Sequence, residues 1–312
     1  MVVWERDPRA GEAGPWPWGR WWEMNVEGGG LKLVEIFPSF QGEGVLAGVP
    51  QVFLRLAGCN LRCSYCDTPE ARRKPGQCLV WGWEGVAEIL ANPLSVGQVL
   101  ERVEALWLPA MHSVCLTGGE PLLQAETLAE LLPSLKARGM GIYLETNGTL
   151  PSLLGTVLEW VDWIAMDLKL PYAQGGEDFL EEQVGFLGLA VSRRVFLKLV
   201  AEEATPKEEV DRFCRRMRRE LPGPVKIPLV IQPVSVPPAR GEETPPGRAA
   251  GVGAERGAIS TPGESALAGN KRGEAWKVGV SRRKIVELLE AASAYFREVR
   301  VMPQMHRAWG IK

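Results

Sequence analysis

Net charge is almost absent from this chain. Its 312 residues carry 36 Lys and Arg against 38 Asp and Glu, a formal −2. Nucleic-acid binding driven by bulk charge therefore has no basis here. Cysteine is scarce as well. Six in a chain this long are too few for a disulfide scaffold. No apolar run reaches the length of a membrane span. The first residues mix acidic and basic side chains with Pro and Trp and have no apolar h-region, so they do not read as a secretory signal. What remains is 46% hydrophobic and 24% charged, the balance of a globular protein long enough to bury a sizeable core in one or two domains. A reducing cytoplasm is the expected setting.

Three of the six cysteines sit together, in Cys59–Asn60–Leu61–Arg62–Cys63–Ser64–Tyr65–Cys66–Asp67–Thr68. The spacing is CxxxCxxC, directly after an apolar strand expected over Gln51 to Leu56. Thiolates are soft ligands that suit iron–sulfur clusters. A cubane cluster has four irons and this loop offers three sulfurs, so one iron stays open to a small molecule. Two plainer readings compete. A structural zinc needs a fourth protein ligand, from Cys78, Cys115, Cys214, His112 or His306, none of which stands in a second paired knuckle. A redox dithiol at Cys63 and Cys66 leaves Cys59 unexplained, and such a motif normally opens a helix.

Residues 1–30 read as an N-terminal extension. Five of the twelve Trp lie there without helix or strand period, and Met24 precedes the first regular pattern. Strands are expected over Leu31–Phe37 and Gln51–Leu56, with residues 69–93 irregular. Ser95–Trp107 has helical period behind a Ser95 cap. Then strand and helix alternate: Ser113–Thr117, Leu122–Arg138, Gly141–Glu145, Pro151–Trp160, Trp163–Asp167, Arg194–Val200, Pro206–Glu220 and Val225–Gln232. That alternation implies a parallel sheet with helices outside it. Residues 237–275 hold 13 Gly or Pro in 39 positions and three large aliphatics, and read as a disordered insertion. A helix over Val280–Ala294 and a strand over Val299–Met302 complete the core, which spans 31–236 and 276–312. In such folds ligands gather at the carboxyl ends of the strands. The cysteine loop, Gly118–Gly119–Glu120–Pro121, Glu145–Thr146–Asn147–Gly148, Asp167–Leu168–Lys169 and Gln232–Pro233–Val234–Ser235 all fall at such ends.

The cysteine loop followed by Gly118–Gly119–Glu120–Pro121 resembles the radical S-adenosylmethionine superfamily. Phe40–Gln41–Gly42–Glu43–Gly44, Arg55 ahead of the loop, Cys66–Asp67–Thr68 and Pro303–Gln304–Met305–His306 narrow the resemblance to the 7-carboxy-7-deazaguanine synthases of 7-deazapurine and queuosine biosynthesis. It covers about residues 31–236 and 280–312. The fold so implied is α/β, a partial (β/α)6-type barrel of parallel strands with a shortened helix set. The implied cofactors are a [4Fe–4S] cluster, S-adenosylmethionine and Mg²⁺. The implied reaction turns 6-carboxy-5,6,7,8-tetrahydropterin into 7-carboxy-7-deazaguanine with loss of ammonia. An electron donor such as a flavodoxin or ferredoxin and a homodimer go with it; nucleic acid and membrane do not.

The resemblance assigns roles residue by residue. Cys59, Cys63 and Cys66 hold the cluster. Tyr65, Cys66, Asp67, Gly119 and Glu120 meet S-adenosylmethionine, with Glu120 suited to its ammonium. Asp167, Leu168, Lys169, Gln232, Pro233, Val234 and Ser235 fall at its ribose and adenine end, with Asn147 as a further candidate. Arg55 matches the grip on the substrate carboxylate. Phe40, Gln41, Gly42 and Glu43 match the pterin-edge loop, where Gln and Glu complement an amide and an amino group. Thr117 matches a further contact, and the terminal Lys312 reaches the substrate, with His306 nearby. Thr68 matches the Mg²⁺ position. The extension and the insertion depart from this compact family. Two other functions remain open: a radical activase acting on a partner protein, and a non-enzymatic iron–sulfur or zinc binding module.

Overall fold

The computed structural model describes residues 29–73, 75–221, 226–236 and 277–309. The expected insertion over 237–275, nearly all of the extension over 1–30, and Lys312 lie outside the described residues.

The strands are β1 (Leu33–Phe40), β2 (Pro50–Leu56), β3 (Gln77–Gly82), β4 (Gly85–Ala91), β5 (Ser113–Gly118), β6 (Gly141–Thr146), β7 (Trp163–Asp167), β8 (Arg194–Ala201), β9 (Leu229–Pro233), β10 (Ser235–Val236), β11 (Lys277–Val278) and β12 (Val299–Val301). The helices are α1 (Val96–Leu106), α2 (Ala125–Ala137), α3 (Pro151–Val157), α4 (Leu180–Ala190), α5 (Lys207–Glu220), α6 (Arg282–Ser293) and α7 (Met305–Trp309). Ten strands form one sheet in the order β12-β9-β8-β7-β6-β5-β2-β1-β3-β4, and β10 pairs with β11 in a small ladder of its own. From β2 through β12 every neighbouring pair is parallel, whereas β1 runs antiparallel to β2. The mostly parallel α/β architecture is thus the expected one. Among the described residues no helix is long and apolar enough to cross a membrane.

The two faces of the sheet differ. On one face Leu54, Leu116, Leu144, Ile164, Leu197 and Leu229 join a large core with the helices. On the other face a thin layer holds Phe37, Phe53, Cys115, Tyr143, Ala165, Phe196 and Val230. A strand's side chains alternate between faces, so the thin layer continues two residues further along each strand. The register steps by two residues between β6 and β7, where Glu145 lies opposite Ala165, and again between β8 and β9, where Lys198 lies opposite Val230. Such stagger accompanies the strand tilt of a curling sheet.

Two sequence expectations need correction. Residues 69–93 are not irregular throughout: they contain the hairpin β3–β4, which extends the sheet beyond β1. Only Cys78 and Val80 of β3 are buried, and β4 is an edge strand with no buried residue, so the apolar alternation that marks a strand is faint. The span between β7 and β8, to which the sequence pattern gives no element, holds α4. Its Leu180, Val184, Phe186 and Leu187 are buried over more than a single stripe, which blurs the helical period. Elsewhere the ends differ modestly: Leu122–Arg138 opens as a 3-10 turn, Pro121–Gln124, before α2, and β9 starts at Leu229.

The Ser95 cap is a full capping box. The Ser95 side chain accepts from the Gln98 backbone N–H, and the Gln98 side chain accepts from the Ser95 backbone N–H. Ser95→Ala should therefore cost about 1 kcal/mol. A shift in the urea midpoint with unchanged metal content would show it.

Candidate active site

The site lies where the strands end. Gly118 has φ +127, in the region that favours glycine. A Cβ on Gly119 would stand 2.0 Å from the Gly58 carbonyl oxygen and 3.0 Å from the Cys59 Cβ. The Gly119 N–H donates to the Leu56 carbonyl, and the Glu120 N–H donates to the Gly58 carbonyl at 2.8 Å. The glycine pair thus lets the turn after β5 lie directly on the backbone that leads into the cysteine loop.

Glu120 is fully buried. Its carboxylate accepts from the Leu122 N–H at 3.1 Å, the Thr146 hydroxyl at 2.9 Å and the Asn147 N–H at 2.8 Å. It ties the end of β5 to the end of β6. Burial pushes its carboxyl up to about 7, against the pull of the Asn147 and Leu122 N–H groups. The Asn147 side-chain amide donates to the Asn60 side-chain carbonyl, and Asn60 donates to Thr149, so the same clamp reaches the cysteine loop. The sequence offers Glu120 for an ammonium group; in the structure its carboxylate also accepts three bonds from within the protein. An amide there would face at least one of those donors with its NH2. Glu120→Gln should destabilise the chain by about 2 kcal/mol, readable by urea denaturation of the purified protein.

Cys59, Cys63 and Cys66 are free and half-buried, and residues 63–66 form a turn rather than the start of a helix. This removes the helical setting that a redox dithiol would have. Burial pushes the Cys59 thiol up to about 11, so its thiolate needs a compensating charge such as a metal. Cys78, Cys115 and Cys214 are buried in the apolar clusters on β3, β5 and α5. His112 lies at the start of β5, hydrogen-bonded to Ser113, at the far end from the loop. None of these supplies the paired knuckle of a zinc site.

Two residues beyond the thin apolar layer come Arg55, Thr117, Glu145, Asp167, Lys198 and Gln232, one from each of β2, β5, β6, β7, β8 and β9. They form a polar row on that same face. Thr117 donates to Glu145 at 2.6 Å, and Gln41 donates to the other Glu145 oxygen at 3.0 Å. Arg55 pairs with Glu35 at 2.9 Å and lies over the Phe37 ring. Asp167 pairs with Lys169 at 2.9 Å and with Lys198 at 3.0 Å. Lys198 also donates to Glu43 at 2.6 Å. The Lys169 ammonium lies 5.4 Å from the Tyr65 ring centre.

The C-terminal segment closes over this row. The Met305 N–H donates to the Gly42 carbonyl, and a Cβ on Gly42 would collide with the His306 ring. Gln304 donates to both Glu43 at 2.9 Å and Asp67 at 3.0 Å, and Arg307 donates to Asp67 at 3.3 Å. Glu43, Asp67 and His306 each bring one ligand atom within 4.8 Å of the others. His306 therefore belongs to the site. Burial raises the Glu43 carboxyl, but Lys198 and then His306 outweigh it and hold it at about 2. Burial raises the Glu145 carboxyl above its usual range. Burial alone would lower the ammonium groups of Lys169 and Lys198. Asp167 beside both, with Glu43 beside Lys198, holds them well above the usual lysine range instead.

Several expected contacts sit differently. Gln41 spends its amide on Gln51, Glu145 and the Glu43 N–H, so it braces the loop. Phe40 is exposed against Trp83. Thr68 caps the 3-10 turn Pro69–Arg72 by position without a side-chain bond. The backbone of Val234 is committed to Ala201 and Gly279, and Ser235 pairs with Val278 in the small ladder. The Leu168 N–H donates to the Lys198 carbonyl, and Pro233 ends β9. Gln232 is different: its buried side-chain oxygen has no partner, an acceptor left over for a ligand N–H. Glu145 was seen only as part of a strand-end motif. Lys198 was missed because one Lys in Arg194–Ala201 breaks an apolar strand without any motif around it. The signal was its place two residues after Phe196, level with Asp167 across the β7–β8 pair.

A loop of three free thiols, clamped by a Gly-Gly-Glu turn at the carboxyl edge of a parallel sheet, defines a protein of the radical S-adenosylmethionine class. The sequence model of the Radical SAM superfamily matches residues 54–233. A 7-carboxy-7-deazaguanine synthase of Geobacter sulfurreducens is 36% identical over 290 residues, covering 90% of this chain and 98% of its own length. One of Methanothermobacter thermautotrophicus is 29% identical, covering 90% and 97%. A crystal structure of QueE from Escherichia coli aligns with a TM-score of 0.45 at 20% identity, covering 65% of this chain and 84% of that one. The chain belongs to the radical SAM superfamily and, within it, to the 7-carboxy-7-deazaguanine synthase family.

Proposed function

We propose that this chain converts 6-carboxy-5,6,7,8-tetrahydropterin to 7-carboxy-7-deazaguanine with loss of ammonia. The observation that carries the reading is the likeness to the Geobacter synthase along nearly its whole length. The polar row beside the cysteine loop supports it.

The residues fit the cofactors the family implies. Three soft sulfur donors on one loop suit an iron–sulfur cluster with one open iron. The orphan Gln232 oxygen and the Asp167 carboxylate offer acceptors toward a nucleoside. When bound, cluster and S-adenosylmethionine supply radical chemistry by one-electron cleavage of the sulfonium. The chain does the rest. Cys59, Cys63 and Cys66 hold the cluster. Arg55, oriented by Glu35, presents its remaining guanidinium N–H groups to the substrate carboxylate. Glu43, kept ionised by Lys198, accepts from the amino and amide edge of the pterin. Phe37, Phe53 and Phe196 beneath the row keep water from below. Mg²⁺ takes oxygen ligands, and the Thr68 hydroxyl with the adjacent Asp67 carboxylate provides hard donors for it. A one-electron donor of the flavodoxin or ferredoxin type, a homodimer and a cytoplasmic setting accompany this reading. The activase and the metal-binding module are set aside by the synthase relatives.

The test is anaerobic reconstitution with iron and sulfide, then incubation with dithionite, S-adenosylmethionine, Mg²⁺ and the carboxytetrahydropterin. Mass spectrometry should find 7-carboxy-7-deazaguanine. Formation of 5′-deoxyadenosine without that product would keep the chemistry and overturn the substrate.

A further inference from the structure

We propose that Lys198 is a positioning residue for substrate binding, acting through Glu43 and anchored from behind by Asp167. This rests on the function just proposed. Lys198 is 8% exposed, in the middle of β8, on the face that carries the polar row. Its ammonium sits between two carboxylates, 2.6 Å from Glu43 and 3.0 Å from Asp167. Those partners come from opposite parts of the site. Glu43 follows β1 in the pterin-edge loop, and Asp167 ends β7 beside Lys169 and Tyr65. Glu43 also carries Gln304 on its other oxygen, so three groups fix its direction: Lys198, Gln304 and, through its own N–H, Gln41.

The geometry makes Lys198 the pivot. Glu43 hangs from a loop, where a carboxylate has freedom to turn. β8 is a central strand with β7 on one side and β9 on the other, and so is rigid. Asp167, level with Lys198 across the β7–β8 pair, holds the ammonium against the strand. Lys198 thus passes the rigidity of the sheet to Glu43, the carboxylate to which the proposed function gives the pterin edge. Asp167 keeps Lys169 when Lys198 is lost, whereas Glu43 loses its cation partner. The loss therefore falls on the pterin side of the site.

Reconstituted wild type, Lys198→Met, Lys198→Arg, Glu43→Gln and the double variant Glu43→Gln with Lys198→Met would be compared. Binding of oxidised 6-carboxypterin is read by its fluorescence with S-adenosylmethionine present, and 5′-deoxyadenosine release is measured without pterin. Lys198→Met should weaken pterin binding about 30-fold or more, the cost of stranding one partner of a buried charge pair. Lys198→Arg should recover most of that loss. The double variant should bind no worse than Glu43→Gln alone, since Lys198 acts through Glu43. Release of 5′-deoxyadenosine by the wild type shows that cluster and S-adenosylmethionine are in place. The inference is overturned if Lys198→Met binds pterin like wild type, or if the two single losses multiply in the double variant. Where Lys198→Met does not fold, Lys198→Arg and the double variant, which leaves no stranded charge at Glu43, carry the same comparison. Wild type that releases 5′-deoxyadenosine but binds no carboxypterin would overturn the substrate reading, and this inference with it. Pterin bound by wild type and by Lys198→Met alike overturns the inference alone.

Discussion

Gly119→Ala will leave the sheet standing and cost the protein its cluster. The added Cβ would lie 2.0 Å from the Gly58 carbonyl oxygen and 2.6 Å from its carbon. Both obstacles are backbone, not the far end of a side chain that can swing away. The turn after β5 must therefore part from the segment entering the cysteine loop, and the bond from the Glu120 N–H to the Gly58 carbonyl is lost with that movement. Glu120 then no longer joins the loop to the end of β6 in the same place. The local cost is of the size that steric conflict in a core produces, above about 3 kcal/mol. Most of the main core lies on the other face of the sheet, away from this turn, so the chain should fold with a lower melting temperature. Iron and sulfide retained after anaerobic reconstitution should fall several-fold, together with the visible absorbance of the cluster. Full iron content in Gly119→Ala would mean that the close approach of the two loops is not what holds the thiols in place. Gly155→Ala is the matching control, since a Cβ at this helical glycine meets nothing within 4 Å.

Much of the architecture was legible because the strands between Ser113 and Gln232 are short and almost wholly buried. Such strands read as apolar runs cut by helices, whichever face each side chain takes. Burial on both faces also explains what stayed hidden. In Phe53–Leu54–Arg55, Cys115–Leu116–Thr117, Tyr143–Leu144–Glu145 and Phe196–Leu197–Lys198, the middle residue joins the large core and the last one joins the polar row. From one strand alone, a terminal polar residue looks like the start of a loop. The common pattern emerges only when the strands are set in register, and the register depends on long-range pairing. Lys198 was invisible for that reason, while Asp167 was visible because Leu168 and Lys169 gave it a motif. The β3–β4 hairpin was lost for the opposite reason: an edge strand with no buried side chain carries no period to read.

The strand-end motifs told where the site is, yet not what each residue does there. Gln41 and Glu120 looked like ligand contacts by chemistry. In the structure their polar atoms are engaged within the protein, one bracing the pterin-edge loop and the other locking the cysteine loop. A hydrogen-bond partner from a distant strand can satisfy a group that looks free in sequence. His306 shows the reverse case. In sequence it closes the Pro303–Gln304–Met305–His306 motif and reads equally well as a surface histidine; in the structure it packs on Gly42 beside Glu43 and Asp67.

The six cysteines should divide cleanly into two sets of three. Cys63→Ala is expected to abolish product formation and to remove most of the reconstituted iron, because the two thiolates left, Cys59 and Cys66, cannot hold a cluster that takes three protein sulfurs. Cys59→Ala and Cys66→Ala should behave alike. Cys78→Ala, Cys115→Ala and Cys214→Ala should keep wild-type iron, since those side chains pack into the apolar layers as small hydrophobes. Their effect should instead be on stability, about 1 to 2 kcal/mol each for the volume removed. The measurement is iron and sulfide per chain beside the urea midpoint for all six variants, prepared without air. Iron loss in the first set with little change in midpoint, and midpoint loss in the second with iron intact, would separate metal ligation from packing. A wild-type protein that stays colourless and retains one zinc would reverse this assignment. The three thiols would then need a fourth protein ligand. The cluster assignment predicts that His306→Ala keeps its iron, since the His306 ring stands with the Glu43 and Asp67 carboxylates.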